Sequence, residues 1–249
     1  NTFVDFDDTK NWDKAVRKST KLIFVETPTN PGVDIIDLKW LGEFSSAHHL
    51  INVVDNCFAT PYLQQPIKYG ADLVIHSATK YLDGQGRVLG GLIAGKKHLI
   101  EKIKGFARHS GPALAPFNAW VISKSLETLA VRMDRHCENA LSLSQRLERL
   151  SQIELVKYPF LPSHPQYEVA KKQMNAGGGI ISFVIAGGFE RACIFLDQLD
   201  LVSLTANLGD TRTIATHPAS ITHAKLPTTD RIAIGILPGL IRLSIGLEH

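Results

Sequence analysis

No stretch of the chain approaches the roughly 20 consecutive apolar residues that cross a bilayer, and no basic start leads into an apolar run at the first residues. A membrane partner is therefore not expected. Cysteine is also scarce. Cys57, Cys137 and Cys193 are the only three, far apart, with no CxxC pair, which argues against a disulfide framework or a structural zinc site and fits a reducing, cytoplasmic setting. Charge of one sign is lacking too: 27 basic against 24 acidic residues leave a formal +3 with no cationic stripe to neutralise a row of phosphates, so nucleic acid is not an expected partner. Internal repeats and low-complexity tracts are absent. No metal is expected: His48 and His49 read as neighbours on a helix, pointing to different sides, and Cys57 brings no second ligand pair at suitable spacing. His109, His136, His217 and His223 read as structural or surface residues.

What remains, 44% hydrophobic and 20% charged over 249 residues, is enough for a sizeable core in one large domain or two unequal ones. The first half repeats a short β-branched apolar run, a turn and an amphipathic stretch. Leu22 to Val25, Ile51 to Val54 and Leu73 to Ile75 read as strands and Ile36 to His48 as a helix. Their spacing leaves room for helical crossovers, hence an open α/β domain with a mostly parallel sheet. Pro116 to about Leu150 reads as one long helix with Trp120, Leu126, Leu129, Met133, Ala140, Leu143 and Leu147 on its apolar face. Candidate strands at Ile180 to Ile185 and Leu240 to Ile245, with a helix at Phe189 to Leu199, indicate a smaller α+β domain. The expected division is 1–138 and 139–249. The Gly177 to Gly179 triplet reads as a turn entering a strand. The chain opens on Asn1 rather than methionine and enters its strand–helix pattern almost at once, so it is expected to start inside a larger protein, with the N-terminal part of the first domain missing.

In doubly wound sheets, ligands gather beyond the carboxyl ends of the strands. Three polar clusters fall there: Glu26-Thr27-Pro28-Thr29-Asn30-Pro31, Asp55-Asn56 and Ser77-Ala78-Thr79-Lys80. A carboxylate at a buried strand end needs a cationic partner, and a protonated pyridine nitrogen is one, so Asp55 is a candidate anchor. A partly desolvated lysine has a lowered pKa and can form an imine with an aldehyde, which suits Lys80. Hydroxyls at 77 and 79 on a turn can bind a phosphate dianion beside it. Each residue alone reads more readily as a cap or turn former, a loop hydroxyl or a surface lysine; their joint placement at successive strand ends carries the case.

The stretch VVDNCFATPYLQQPIKYGADLVIHSATKYLDGQGRVLGG, from Val53 to Gly91, resembles the Cys/Met-metabolism family of pyridoxal-phosphate enzymes, and ETPTNP at Glu26 to Pro31 is similar to another of its signatures. The resemblance covers the whole chain and implies the pyridoxal-phosphate transferase type I fold. It also implies that Lys80 carries the cofactor as a Schiff base and shuttles protons, Asn30 bonds the phenolic oxygen, Asp55 pairs with the pyridinium nitrogen, and Ser77 and Thr79 bind the phosphate. Arg242, in LIRLSIGLE, matches the arginine that pairs with the substrate's α-carboxylate through a planar fork. Asn207 stands where related synthases and lyases usually have a serine whose backbone helps hold that carboxylate.

DGQGRVLGG, GPALAPFNAW and TANLGDTRTIATHPASITH look most like the O-succinylhomoserine sulfhydrylase branch. The implied reaction is γ-replacement, converting O-succinylhomoserine and sulfide to homocysteine and succinate in methionine biosynthesis. Cystathionine γ-synthase and γ-lyase chemistry on the same scaffold is the alternative, and an inactive assembly module is another if the protein truly starts at Asn1. The resemblance further implies a homotetramer with active sites shared between subunits.

Overall fold

The computed structural model describes residues 1–6 and 8–249. Its first sheet has four strands in the order β1-β2-β3-β4: β1 (Leu22–Glu26), β2 (Ile51–Asp55), β3 (Leu73–Ser77) and β4 (Gly91–Gly95). The first three are parallel, and β4 is antiparallel to β3. β4 is a strand that the sequence pattern does not announce: five residues, two of them glycine, all exposed. Between β1 and β2 runs α1 (Leu38–Ala47), which starts two residues later than the periodicity suggests because Asp37 caps it, accepting from the Lys39 and Trp40 N–H groups. Ile36, just before the cap, shares a buried cluster with Leu41, the fourth helical residue, in the manner of a hydrophobic staple. α1 ends before His48, and His49 has left-handed backbone (φ 54°), so the two histidines are not side by side on a helix.

After β4 come α2 (Lys97–Ser110), α3 (Pro116–Leu126) and α4 (Leu129–Leu147). The single helix expected from Pro116 to Leu150 is thus two. The break has a local cause: the Ser125 carbonyl accepts from both the backbone N–H and the hydroxyl of Thr128, closing a tight turn, and also from the Arg132 guanidinium. Trp120 and Leu126, expected on an apolar face, are 62% and 41% exposed, whereas Leu129, Met133, Ala140 and Leu147 are buried.

The second sheet has the order β5-β6-β9-β8-β7, built from β5 (Ile153–Lys157), β6 (Ile180–Ile185), β7 (Ser203–Leu204), β8 (Ile214–Thr216) and β9 (Leu240–Ser244). Three further helices, α5 (Tyr167–Gln173), α6 (Gly188–Asp197) and α7 (Thr228–Ala233), lie in this half of the chain. Alternation along β6 and β9 sorts their faces. Ile181, Phe183, Ile185, Ile241, Leu243 and Ile245 pack with Ala140 and Leu147 of α4 and Ala192 and Leu196 of α6. The opposite face of the same strands carries Ser182, Arg242 and Ser244, all buried. Arg242 is therefore no surface residue; it stands on the inner face of an otherwise apolar strand. α4 changes core along its length, with Leu129, Met133 and Cys137 in one cluster and Ala140 and Leu147 in the next, and on this ground we propose a division of the chain at 138/139. The Gly177 to Gly179 segment precedes β6, and a Cβ at 177 or 179 would fall within 2.7 Å of the Tyr158 or Tyr81 side chain, so close packing requires glycine there.

Candidate active site

The parallel registers place the chemistry-bearing residues side by side. Glu26 pairs with Asp55 at the ends of β1 and β2, and Asp55 sits one strand from Ile75, two residues before Ser77. Beyond Ser77 the chain turns at once into a single π-type turn, Ala78–Leu82, interrupted at Lys80 (φ −91°, ψ −132°). Ala78, Tyr81 and Leu82 are buried and Lys80 is half-buried, so the turn is fixed by its flanks while the lysine projects toward the second sheet. The Lys80 Nζ donates to Asn207 Oδ1.

Two contacts lock this turn from outside. Arg132 of α4 donates to the Tyr81 carbonyl at 2.7 Å, and it leaves no room for a side chain at Gly84, whose Cβ would lie 2.2 Å from Nη1. On the other side Gly209 (φ 77°) presses on the lysine's own backbone: a Cβ there would sit 2.7 Å from the Tyr81 nitrogen and 3.0 Å from the Lys80 carbonyl carbon. Its N–H donates to Ser244 Oγ at 2.8 Å, which holds the 207–209 segment against β9. Neither role is apparent from the residues alone, although the Leu-Gly pair at 208 and 209 marks the place.

Arg242 is 1% exposed. Both Nη2 hydrogens go to backbone carbonyls, of Ala206 and Asn207, each at 3.0 Å, and Nη1 donates to Asn30 Oδ1 at 2.9 Å. Nε has no partner among the described residues, so this buried cation retains donor capacity for a ligand. Burial lowers its pKa to about 10, with Tyr81 and Glu26 opposing. Burial also lowers that of Lys80, where the Arg242 charge adds to the effect and Cys57 opposes it. Asp55 Oδ1 accepts from the Cys57 N–H at 3.0 Å, and burial raises the carboxyl's pKa above the ordinary range against that bond. Glu26 is pushed up to about 7, first by burial and then by Asp55. Burial, reinforced by Asp55, pushes the Cys57 thiol up to about 12 and keeps it from serving as a nucleophile.

Of the two candidate phosphate hydroxyls, that of Thr79 is already engaged, accepting from the Gly90 N–H at 3.1 Å, while that of Ser77 makes no hydrogen bond among the described residues. Behind the strand ends lies a buried amide network. Gln64 donates to the Thr27 carbonyl and Asn56 Oδ1 (2.9 and 2.8 Å), and Gln173 of α5 donates to the Ile36 carbonyl and Gln64 Oε1 (3.0 and 2.9 Å). Gln173 Oε1 also accepts from Leu38 N–H at 3.0 Å. The sequence motifs name Asn30, Asp55, Ser77, Thr79, Lys80, Asn207 and Arg242 as candidates; they give no role to Glu26, Arg132, Gly209 or this network. Among the described residues no group of three or more histidine, cysteine or acidic side chains could hold a metal, and no helix is long and apolar enough to cross a membrane.

The residues fit pyridoxal phosphate: a lysine of lowered pKa, carboxyls at adjacent strand ends, an unpartnered serine hydroxyl and a buried arginine with a spare N–H converge on one place. Comparison with known proteins agrees. The family model described as Cys/Met metabolism PLP-dependent enzyme matches residues 1–249. An O-succinylhomoserine sulfhydrylase of Pseudomonas aeruginosa is 49% identical over 95% of this chain and 59% of its own. An L-methionine gamma-lyase of Fusobacterium nucleatum is 43% identical over 100% of this chain and 64% of its own. A solved structure of cystathionine gamma-lyase from Lactobacillus plantarum complexed with L-serine superposes with a TM-score of 0.95 at 37% identity, covering 100% of this chain and 65% of that one. The chain thus spans about three fifths of the length of the curated relatives it matches.

Proposed function

Since this chain belongs to the Cys/Met metabolism family of pyridoxal-phosphate-dependent enzymes, we propose that it serves γ-replacement, turning O-succinylhomoserine and sulfide into homocysteine and succinate. The observation that carries the reading is the buried Arg242, with a spare N–H, linked through the Asn207 residue to the Lys80 amine. An arginine for an α-carboxylate and a lysine for the adjacent carbon are what an amino-acid substrate requires. The similarity to the Pseudomonas aeruginosa sulfhydrylase supports the choice within the family.

Pyridoxal phosphate, when bound, supplies an electron sink for negative charge developing on the substrate's carbons. The chain's own residues do the rest. With the cofactor in place, Lys80 would hold it and would move a proton at the substrate's α-carbon. Asp55 would pair with the charge of the ring nitrogen, and Asn30 would hydrogen-bond the phenolic oxygen. Ser77 and Thr79 would bind the phosphate, and Arg242 with Asn207 would orient the α-carboxylate. Active sites shared between subunits of a homotetramer, in the cytoplasm, complete this proposal.

Borohydride reduction of the full-length, cofactor-loaded protein followed by peptide mapping tests the site: a single pyridoxyl label is expected on Lys80. Lys80→Ala should lose the label and turnover by more than about a thousandfold. Full activity in that variant would overturn the assignment. Product analysis tests the reaction. Homocysteine formed faster from sulfide than cystathionine from cysteine supports replacement by sulfide; methanethiol and a keto acid from methionine, with no sulfide product, would make the protein a lyase.

A further inference from the structure

Glu26 has no part in the assignments above, yet it stands beside Asp55 at the end of the neighbouring strand. Its Oε2 accepts from the Asn30 N–H at 3.2 Å, closing the turn that follows β1. The side chain of the same Asn30 accepts from Arg242 Nη1 at 2.9 Å. Thr29, one residue before, is held by Asp34, and Pro31, one residue after, receives the Ser182 hydroxyl. Within Thr27 to Asn30, the Asn30 N–H is thus held by a side chain that also lies in register with Asp55. Removing that acceptor frees the one residue that fixes Nη1, while Nη2 stays on the Ala206 and Asn207 carbonyls.

We propose that Glu26 is a positioning residue for substrate: through Asn30 it sets the rotation of the Arg242 guanidinium and so the alignment of the donors offered to the α-carboxylate. The inference rests on the reading of Arg242 as the carboxylate site. What Glu26 contributes is an oxygen acceptor at a fixed place, which an amide carbonyl supplies equally well. Glu26→Gln therefore preserves the function, and Glu26→Ala removes it.

The test compares two unreactive ligands, L-norvaline and n-butylamine, that differ only in the carboxylate. Their binding to the cofactor-loaded full-length protein is followed by the change in cofactor absorbance. Glu26→Ala should weaken L-norvaline about tenfold and leave n-butylamine within twofold, with Glu26→Gln close to the parent for both. Should the alanine variant fail to fold, Glu26→Leu, which fills the side-chain space but offers no acceptor, takes its place. Equal weakening of both ligands, or none, overturns the inference while leaving the site reading intact. The premise has its own control: if Arg242→Ala does not discriminate between the ligands, the carboxylate assignment itself fails, and the Glu26 inference with it.

Discussion

A carboxyl whose pKa is higher in the folded than in the unfolded state binds more protons when folded, so stability falls as pH rises between the two values. Glu26, lifted from 4.5 to about 7, is such a group. In the cofactor-free protein, Glu26→Gln should be more stable than the parent at pH 8 by at most about 3 kcal/mol, with the gain fading toward pH 5. Thermal unfolding at pH 5, 6, 7 and 8 measures it; a pH-independent difference would show that Glu26 ionises freely. His76 and His136 act in the opposite sense. Burial lowers both to about 4, so the stability they permit when neutral is lost as pH falls from the ordinary histidine range toward 4. At this scale the sequence points to a candidate where a residue's chemistry is declared by its own motif, as for Asp55 and Lys80. Glu26 was illegible because its raised pKa comes from burial and from Asp55, which meets it only across a strand pair.

At the scale of elements, the site is only as rigid as what stands behind it. Gln173 makes three hydrogen bonds from α5 to the opposite side of the site's floor, and the amides of Gln64 and Asn56 continue the chain of bonds. Gln173→Leu keeps the volume and strands the Leu38 N–H, the Ile36 carbonyl and Gln64 Oε1 without partners. A loss of about 3 kcal/mol is expected in urea unfolding, more than the lost bonds' net worth, because unmet buried groups carry the full desolvation cost. A loss below 1 kcal/mol would mean that water enters and satisfies them. β1, β2, β3, β6 and β9 were legible from their apolar runs and punctuation. β4 was not, because its exposed Gly-Leu-Ile-Ala-Gly lacks the burial that writes a strand into a sequence. The break at 127–128 escaped because its cause, the Ser125 carbonyl meeting Thr128 and Arg132, is a matter of hydrogen bonding that leaves hydrophobic spacing unchanged.

Across the molecule, the loop from Thr27 to Asp34 is tied to the second sheet at several points. Arg242 reaches Asn30, Ser182 reaches Pro31, and Lys157 meets Asp34 at 2.6 Å. The last pair is about a quarter exposed on each side, whereas Ser182 and Arg242 are buried. Lys157→Ala should therefore cost less than about 1 kcal/mol and leave a single unfolding transition. Two separate transitions would show that the sheets melt independently and that the buried ties are weaker than their geometry suggests. The α/β character of the first half and the α+β character of the second were both legible from periodicity. How one half grips the other was not, since those contacts join residues more than a hundred positions apart.

The press of Gly209 on the backbone of Lys80 has a bearing on redesign. A library that randomises the 205–213 loop to admit new acceptors will find position 209 closed, because any side chain there must first displace the lysine's own peptide unit. Diversity placed at 205–206 and 211–213, with 209 kept as glycine, varies the loop while leaving the Lys80 backbone where it is. The one residue of the loop without a side chain is the hinge pin about which the others can be varied.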